Sequence, residues 1–160
     1  MEQLVQDLLA MQKPWQIVAI AGKSEKVKAR LEEISRSTGT LPGGRRRLLP
    51  VGFTSDMDQY MAAADLLVGK AGGLTTSEAL AREVPMALIE PIPGQEERNA
   101  DHLLEAGAAI RCNNLPAAGW KIAKLLDNPE RLAKMKDAAR EMGRAGAAAA
   151  IAEDALQLVD

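Results

Sequence analysis

Short apolar runs alternate along the chain with longer stretches whose apolar residues recur at helical spacing. Leu4, Val5, Leu8 and Leu9 mark one face of a helix over residues 2–11, and Pro14 ends it. The run Q-I-V-A-I-A at 16–21 is short, branched and almost wholly apolar, which predicts a strand covered on both faces and stopped by Gly22. Ser24 is placed to cap a helix carrying Val27, Leu31 and Ile34. Residues 38–44 break that pattern before a second strand near 46–51. A short helix at 57–63 precedes strand 66–68, a glycine-rich loop at 69–73 and a helix at 75–82. Pro85 resets the chain for a strand at 86–89, a loop at 90–94, a helix at 95–105 and a strand at 108–111. Three helices follow, at 116–126, 129–142 and, alanine-rich, 145–159. This alternation predicts an α/β, Rossmann-like doubly wound parallel sheet. Ligands of such sheets sit beyond the carboxyl ends of the strands, which selects the loops beginning at Gly22, Gly52, Gly69, Glu90 and Arg111.

Composition narrows the chemistry. The 160 residues fit one domain. With one cysteine, Cys112, and one histidine, His102, there is no internal disulfide and no metal-ligand spacing, so no metal is expected and a reducing compartment, the cytoplasm, is. His102 lies inside a helix and reads as structural or surface, and Cys112 as inert. The net charge is -2 and aromatic residues are too scarce for base-stacking platforms, which argues against nucleic-acid binding. The basic run Arg45 to Arg47 leads into the amino end of a strand, opposite the predicted crevice, and reads as a solvated cluster. Trp15 and Trp120 sit near element ends and read as covers for the core. No apolar run reaches the ~20 residues of a membrane span, and the first residues lack the basic flank of a signal peptide.

The loop after Val68 is the most informative. Gly72 and Gly73 let the backbone approach a ligand, while the first-turn amides of the next helix and its dipole make a phosphate site. Thr75, Thr76 and Ser77 add hydroxyls, and Lys70 could answer phosphate charge or be a solvated lysine. The loop is neither a Walker sequence nor a dinucleotide fingerprint. Thr75 and Glu78 also fit a capping box, in which both are spent on the helix start. The alternative is that Glu78 turns away from a diphosphate and accepts from neutral hydroxyls such as those of a ribose. Spacing leaves the two readings even.

Two further loops carry candidates. Pro91 and Pro93 stiffen the loop that feeds Gln95 and Glu96 into the sheet's carboxyl edge, where an amide and a carboxylate could bond a polyol. Phe53 could pack beside a planar base or fill the core under the next helix.

The words V-G-F-T-S-D-M, D-L-L-V-G-K-A-G-G-L-T-T-S-E-A-L-A, P-I-P-G-Q-E-E-R-N-A and L-L-E-A-G-A-A resemble, in order and spacing, the carboxyl-terminal domain of the monogalactosyldiacylglycerol synthase and processive diacylglycerol glucosyltransferase family. That family is in turn similar to the transferase that adds N-acetylglucosamine to the lipid-linked peptidoglycan precursor. The resemblance implies the donor-binding half of a two-domain, inverting, metal-independent transferase of the GT-B fold, with a UDP-sugar as donor substrate and no separate cofactor. It implies that Phe53 and Thr54 lie by the uracil and that Gly22 lines the nucleotide pocket. Gly72, Gly73, Leu74, Thr75 and Thr76, assisted by Lys70, would hold the diphosphate. Glu78 would hold the ribose, and Gln95 with Glu96 the sugar hydroxyls. Residues 1–160 would thus be a partial UDP-sugar-binding domain without a catalytic residue of its own, inactive alone. The base and a lipid acceptor such as diacylglycerol would belong with an amino-terminal domain, at the cytoplasmic face of a membrane. A nucleotide-sugar epimerase of similar build and a non-catalytic nucleotide-binding module are the alternatives.

One departure from the family pattern predicts something about the sheet. The chain opens in what resembles the first helix, without the strand that precedes it in relatives. In the order 3-2-1-4-5-6 that strand is central. Residues 16–21 and 66–68 should therefore pair directly, admit a strand from another chain, or leave open edges.

Overall fold

The computed structural model describes residues 1–90 and 92–158. It divides into two compact units, residues 1–57 with 115–123, and residues 58–114 with the segment from Lys124 onward. In chain order the elements are α1 (Glu2–Ala10), β1 (Ile17–Ile20), α2 (Glu25–Ser37), β2 (Leu48–Val51), α3 (Met57–Ala62), β3 (Leu67–Gly69), α4 (Gly73–Ala81), β4 (Met86–Leu88), α5 (Gln95–Glu105), β5 (Ala109–Arg111), α6 (Leu115–Leu126), α7 (Pro129–Met142) and α8 (Ala147–Gln157). The predicted alternation of helices and strands is present, and every ladder is parallel.

In the first unit β1 and β2 run in register from Ile17 beside Leu48 to Ile20 beside Val51. Side chains alternate across a strand, so Ile17, Ala19 and Ala21 share one face with Leu48 on its partner. That face packs on Val5 and Leu9 of α1 and on Val27, Leu31 and Ile34 of α2. The opposite face carries Val18, which is 40% exposed, and Ile20, which is half-buried, so β1 is covered less fully on this face than the apolar run predicts. An apolar run specifies burial potential, not how many layers are at hand to use it.

Side chains tie these elements together. Ser24 caps α2 by accepting from the Val27 amide. The buried Ser35 hydroxyl donates to the Leu48 carbonyl at 2.7 Å. Arg47 donates to the carbonyls of Leu9 and Lys13 at 3.4 and 3.0 Å, placing a cation where α1 ends. Only Arg45 and Arg46 of the basic run are therefore solvated, since Arg47 has a structural task. Trp120 is 60% exposed and does not seal the core.

In the second unit the order is β3-β4-β5, with Leu67 beside Met86 and Met86 beside Ala109. The central strand explains the burial, for Met86, Ala87 and Leu88 are all inaccessible or nearly so, as are Ala79, Leu103, Ala108 and Cys112. α7 closes on α4 at Gly143, where an added Cβ would lie 2.6 Å from the Leu80 carbonyl oxygen. His102 is exposed, in line with a surface role. α8 begins two residues later than the periodicity predicts, and none of its residues is buried. The predicted last position, Val159, lies outside the described residues, as does Pro91.

Among the described residues, the strands of the first unit form a two-stranded sheet and those of the second a three-stranded one. Residues 2–10 are helical, as their periodicity predicts, and supply no strand. Among the described residues, β1 has β2 as its ladder partner and β3 has β4.

Candidate functional site

The helix after β3 starts earlier than its capping signature predicts. Gly72 is the N-cap, extended at φ -66 and ψ 148, and Gly73 is the first helical residue. The Thr76 amide already bonds the Gly72 carbonyl at 2.9 Å. Thr75 is thus inside the first turn and is not a cap, no side chain caps the helix, and the capping-box reading of Thr75 and Glu78 fails. The Gly73, Leu74 and Thr75 amides lie ahead of the first intrahelical bond and point out of the amino end with the dipole behind them.

Around this terminus the side chains sort themselves. Leu74 is 81% exposed, and Lys70 and Glu78 are exposed as well. Ser77 donates to the Gly73 carbonyl at 2.9 Å, so its hydroxyl serves the helix. The Thr76 Oγ1 atom is buried without a hydrogen-bond partner among the described residues, which costs on the order of 1–3 kcal/mol unless something else supplies a bond. Glu78 stands five residues beyond Gly73, about 7.5 Å along the axis at 1.5 Å per residue. Its backbone thus lies more than a turn beyond the first-turn amides.

α5 supplies the second side of this site. Its N-cap is Gly94, whose φ of 107 and ψ of -114 only glycine adopts readily, so the turn into the helix depends on it. A Cβ built on Gly73 would lie 3.7 Å from Gln95 Nε2, which brings the Gln95 amide to the start of α4 as the two loops predicted. Glu96 behaves differently: its Oε2 accepts from the Ile92 amide at 2.8 Å and closes its own loop. Asn99, absent from the sequence-derived candidates, donates to the Ala71 carbonyl at 2.9 Å. The available signal was its spacing, four residues after Gln95 and so on the same helix face.

The first unit holds the remaining candidates. Gly22 follows β1 with φ +58, and Phe53 follows β2, beside which β1 runs. Phe53 is 69% exposed, which removes the reading as a core aromatic. The Lys23 ammonium lies 5.5 Å from the centroid of its ring, a contact worth roughly 0.5–1 kcal/mol at an exposed site. The Thr54 hydroxyl accepts from the Asp56 amide at 3.0 Å and stiffens the turn behind the ring. Among the described residues no group of three histidine, cysteine, aspartate or glutamate side chains could hold a metal ion, and no helix is long and apolar enough to cross a membrane.

Residues 2–157 match the family model described as glycosyltransferase family 28 C-terminal domain. The chain is 34% identical over 135 residues to a processive diacylglycerol beta-glucosyltransferase of Staphylococcus saprophyticus, a match covering 84% of this chain and 33% of that protein. It superposes with a TM-score of 0.68 on a putative UDP-N-acetylglucosamine 2-epimerase from Listeria monocytogenes, at 21% identity over 94% of this chain and 38% of the other. With MurG of Acinetobacter baumannii the TM-score is 0.59, at 22% identity over 89% and 52%. At these identities the superpositions speak for the fold alone. The chain spans about a third of the length of the curated relatives it matches.

Proposed function

From the premise that the chain belongs to the glycosyltransferase family 28 C-terminal domain family, we propose that it binds a UDP-sugar as the donor half of a hexosyltransferase acting on a lipid such as diacylglycerol. The observation that carries the reading is that the fold makes no demand for glycine at 72 and 73. Neither residue has a positive φ. A Cβ at Gly72 would meet only Thr75 Oγ1 at 4.0 Å, and one at Gly73 only Gln95 Nε2 at 3.7 Å. A bare backbone that neither conformation nor packing requires is accounted for by a ligand that comes within reach of it.

That ligand is a diphosphate in this reading. The Gly73, Leu74 and Thr75 amides and the α4 dipole take its charge, Thr76 Oγ1 offers a hydroxyl, and Lys70 adds a mobile cation. A leaving diphosphate is stabilised by the same groups, without calling on a divalent ion. Glu78, beyond the first turn, accepts from the ribose hydroxyls, and Gln95 reads the sugar. Glu96 contributes through the loop it closes or through its second oxygen. From the first unit the reading takes Gly22, the exposed ring of Phe53 and the backbone at Thr54 as groups for the uracil. The base that activates the acceptor hydroxyl, and the acceptor itself, are assigned to an amino-terminal domain of the whole enzyme. The matches to diacylglycerol glucosyltransferases support the lipid acceptor.

Calorimetry with UDP on Gly73→Ala tests the reading. The substitution keeps the fold and adds helix propensity of up to about 1 kcal/mol, yet weakens UDP binding by tenfold or more. Wild-type affinity in a folded Gly73→Ala protein would remove the diphosphate from this loop. Glu78→Ala, which does nothing for the cap, should weaken UDP and leave inorganic pyrophosphate unaffected. For the whole enzyme, product analysis separates transfer from epimerisation of the donor.

A further inference from the structure

We infer that Asn99 is a positioning residue, which holds the 71–73 loop in its ligand-binding shape and locks it to the helix that carries Gln95. The inference rests on the UDP-sugar reading of that loop and deepens it. Three observations in the second unit support it. The Asn99 amide donates to the Ala71 carbonyl at 2.9 Å, across 28 residues of sequence. Ala71 is fully buried, so its carbonyl has no ready exchange with water if that bond is lost. Gly72, the next residue, caps α4 without help from any side chain.

The loop thus lacks the cap contact that normally fixes a helix start, and Asn99 takes over that task from the neighbouring helix. Gln95 and Asn99 are four residues apart on one face of α5, and Gln95 Nε2 is the nearest atom to a Cβ built on Gly73. Glu96, between them, is occupied with Ile92. One helix face therefore sets both where the first-turn amides point and where the sugar-reading amide stands. A shift of α5 moves both together, so the spacing between diphosphate and sugar contacts is built in rather than assembled on binding.

The role predicts an order of variants that a space-filling role does not. Asn99→Ala removes the donor, and Asn99→Asp keeps the shape but sets a carboxylate against the Ala71 carbonyl. UDP affinity should then fall from wild type to Asn99→Ala, by about tenfold, and further to Asn99→Asp. A volume requirement alone would leave Asn99→Asp close to wild type. Because Asn99 acts through the loop, UDP and UDP-glucose should weaken by the same factor, whereas Gln95→Ala should weaken UDP-glucose only.

Circular dichroism first confirms that each variant folds. The ligand-free proteins are then compared by amide NMR, where the Gly72 and Gly73 resonances should move in both Asn99 variants. Unmoved glycine resonances overturn the inference, whatever the ligand. So does a loss confined to UDP-glucose, which would make Asn99 a sugar contact. Wild-type protein that binds neither UDP nor UDP-glucose overturns the function assigned to the loop, while the NMR comparison still decides whether Asn99 shapes it.

Discussion

Gly143 offers the sharpest test of how the second unit is packed. It ends α7 at φ -61 and ψ 140, a conformation alanine adopts without strain. On the backbone alone, Gly143→Ala should stabilise by about 0.4–1 kcal/mol, because the unfolded chain loses freedom. Packing reverses the sign. The new Cβ would stand 2.6 Å from the Leu80 oxygen and 3.2 Å from its carbonyl carbon, inside the 3.0 Å that real Cβ atoms respect for the first of these. That oxygen cannot swing aside freely, since it accepts from the Glu83 amide at 3.0 Å. On the other side, the Gly143 amide bonds the carbonyls of Ala139 and Arg140. Forcing a methyl into a fixed contact costs roughly 1–3 kcal/mol. The net expectation is a loss of about 1–2 kcal/mol, which for a chain of this size lowers Tm by roughly 2–8 °C. Thermal and urea unfolding should be run beside Gly39→Ala, whose Cβ meets nothing within 4 Å and which should gain a few tenths. A Gly143→Ala protein as stable as wild type, with Gly39→Ala behaving as stated, would refute the reasoning that α7 and α4 are locked at this carbonyl.

Gly119 lies within α6, and a Cβ there would meet the mobile Met11 Cε at 3.2 Å and Asp7 Cβ at 3.4 Å, so Gly119→Ala should be neutral or stabilising by up to about 1 kcal/mol in urea unfolding. Cys112 is fully buried, so its thiol should react with an aromatic disulfide reagent only when denaturant opens the second unit, and ready labelling of the native protein would contradict that burial.

How much of this was legible beforehand depends on which physics each feature obeys. Periodicity is local, so α1, α5 and α7 fall within two residues of their sequence-derived bounds, and β4 falls within the expected 86–89, while the burial of Met86, Ala87 and Leu88 comes from their central place in the sheet. The start of α4 was missed because Thr75 and Glu78 have the right spacing for a cap, while Gly72 has no side chain to announce itself as one. Phe53 was ambiguous because an aromatic residue after a strand reads alike in a core or on a surface, and only its 69% exposure decides. Arg47 was grouped with Arg45 and Arg46 by charge, whereas its partners are backbone carbonyls more than thirty residues away that no side-chain pattern reveals. Asn99 escaped for the same reason, its acceptor being the backbone of Ala71.

The glycines show why a motif and a structure must be read together before a site is assigned. Gly22 is explained by its φ of +58, a conformation that costs other residues on the order of 1–2 kcal/mol, and Gly143 by the carbonyl it faces. Either would be retained in a chain that bound nothing. Gly72 and Gly73 have ordinary dihedrals and open space above them, so folding alone would accept alanine at both and, at Gly73, gain helix propensity from it. A sequence pattern cannot make this distinction, since all four positions read as the same letter. The cost of leaving them bare is a modest one in stability, and it falls at the amino end of α4, where three amides await an acceptor, Thr76 Oγ1 lacks one, and Asn99 holds the approach in place.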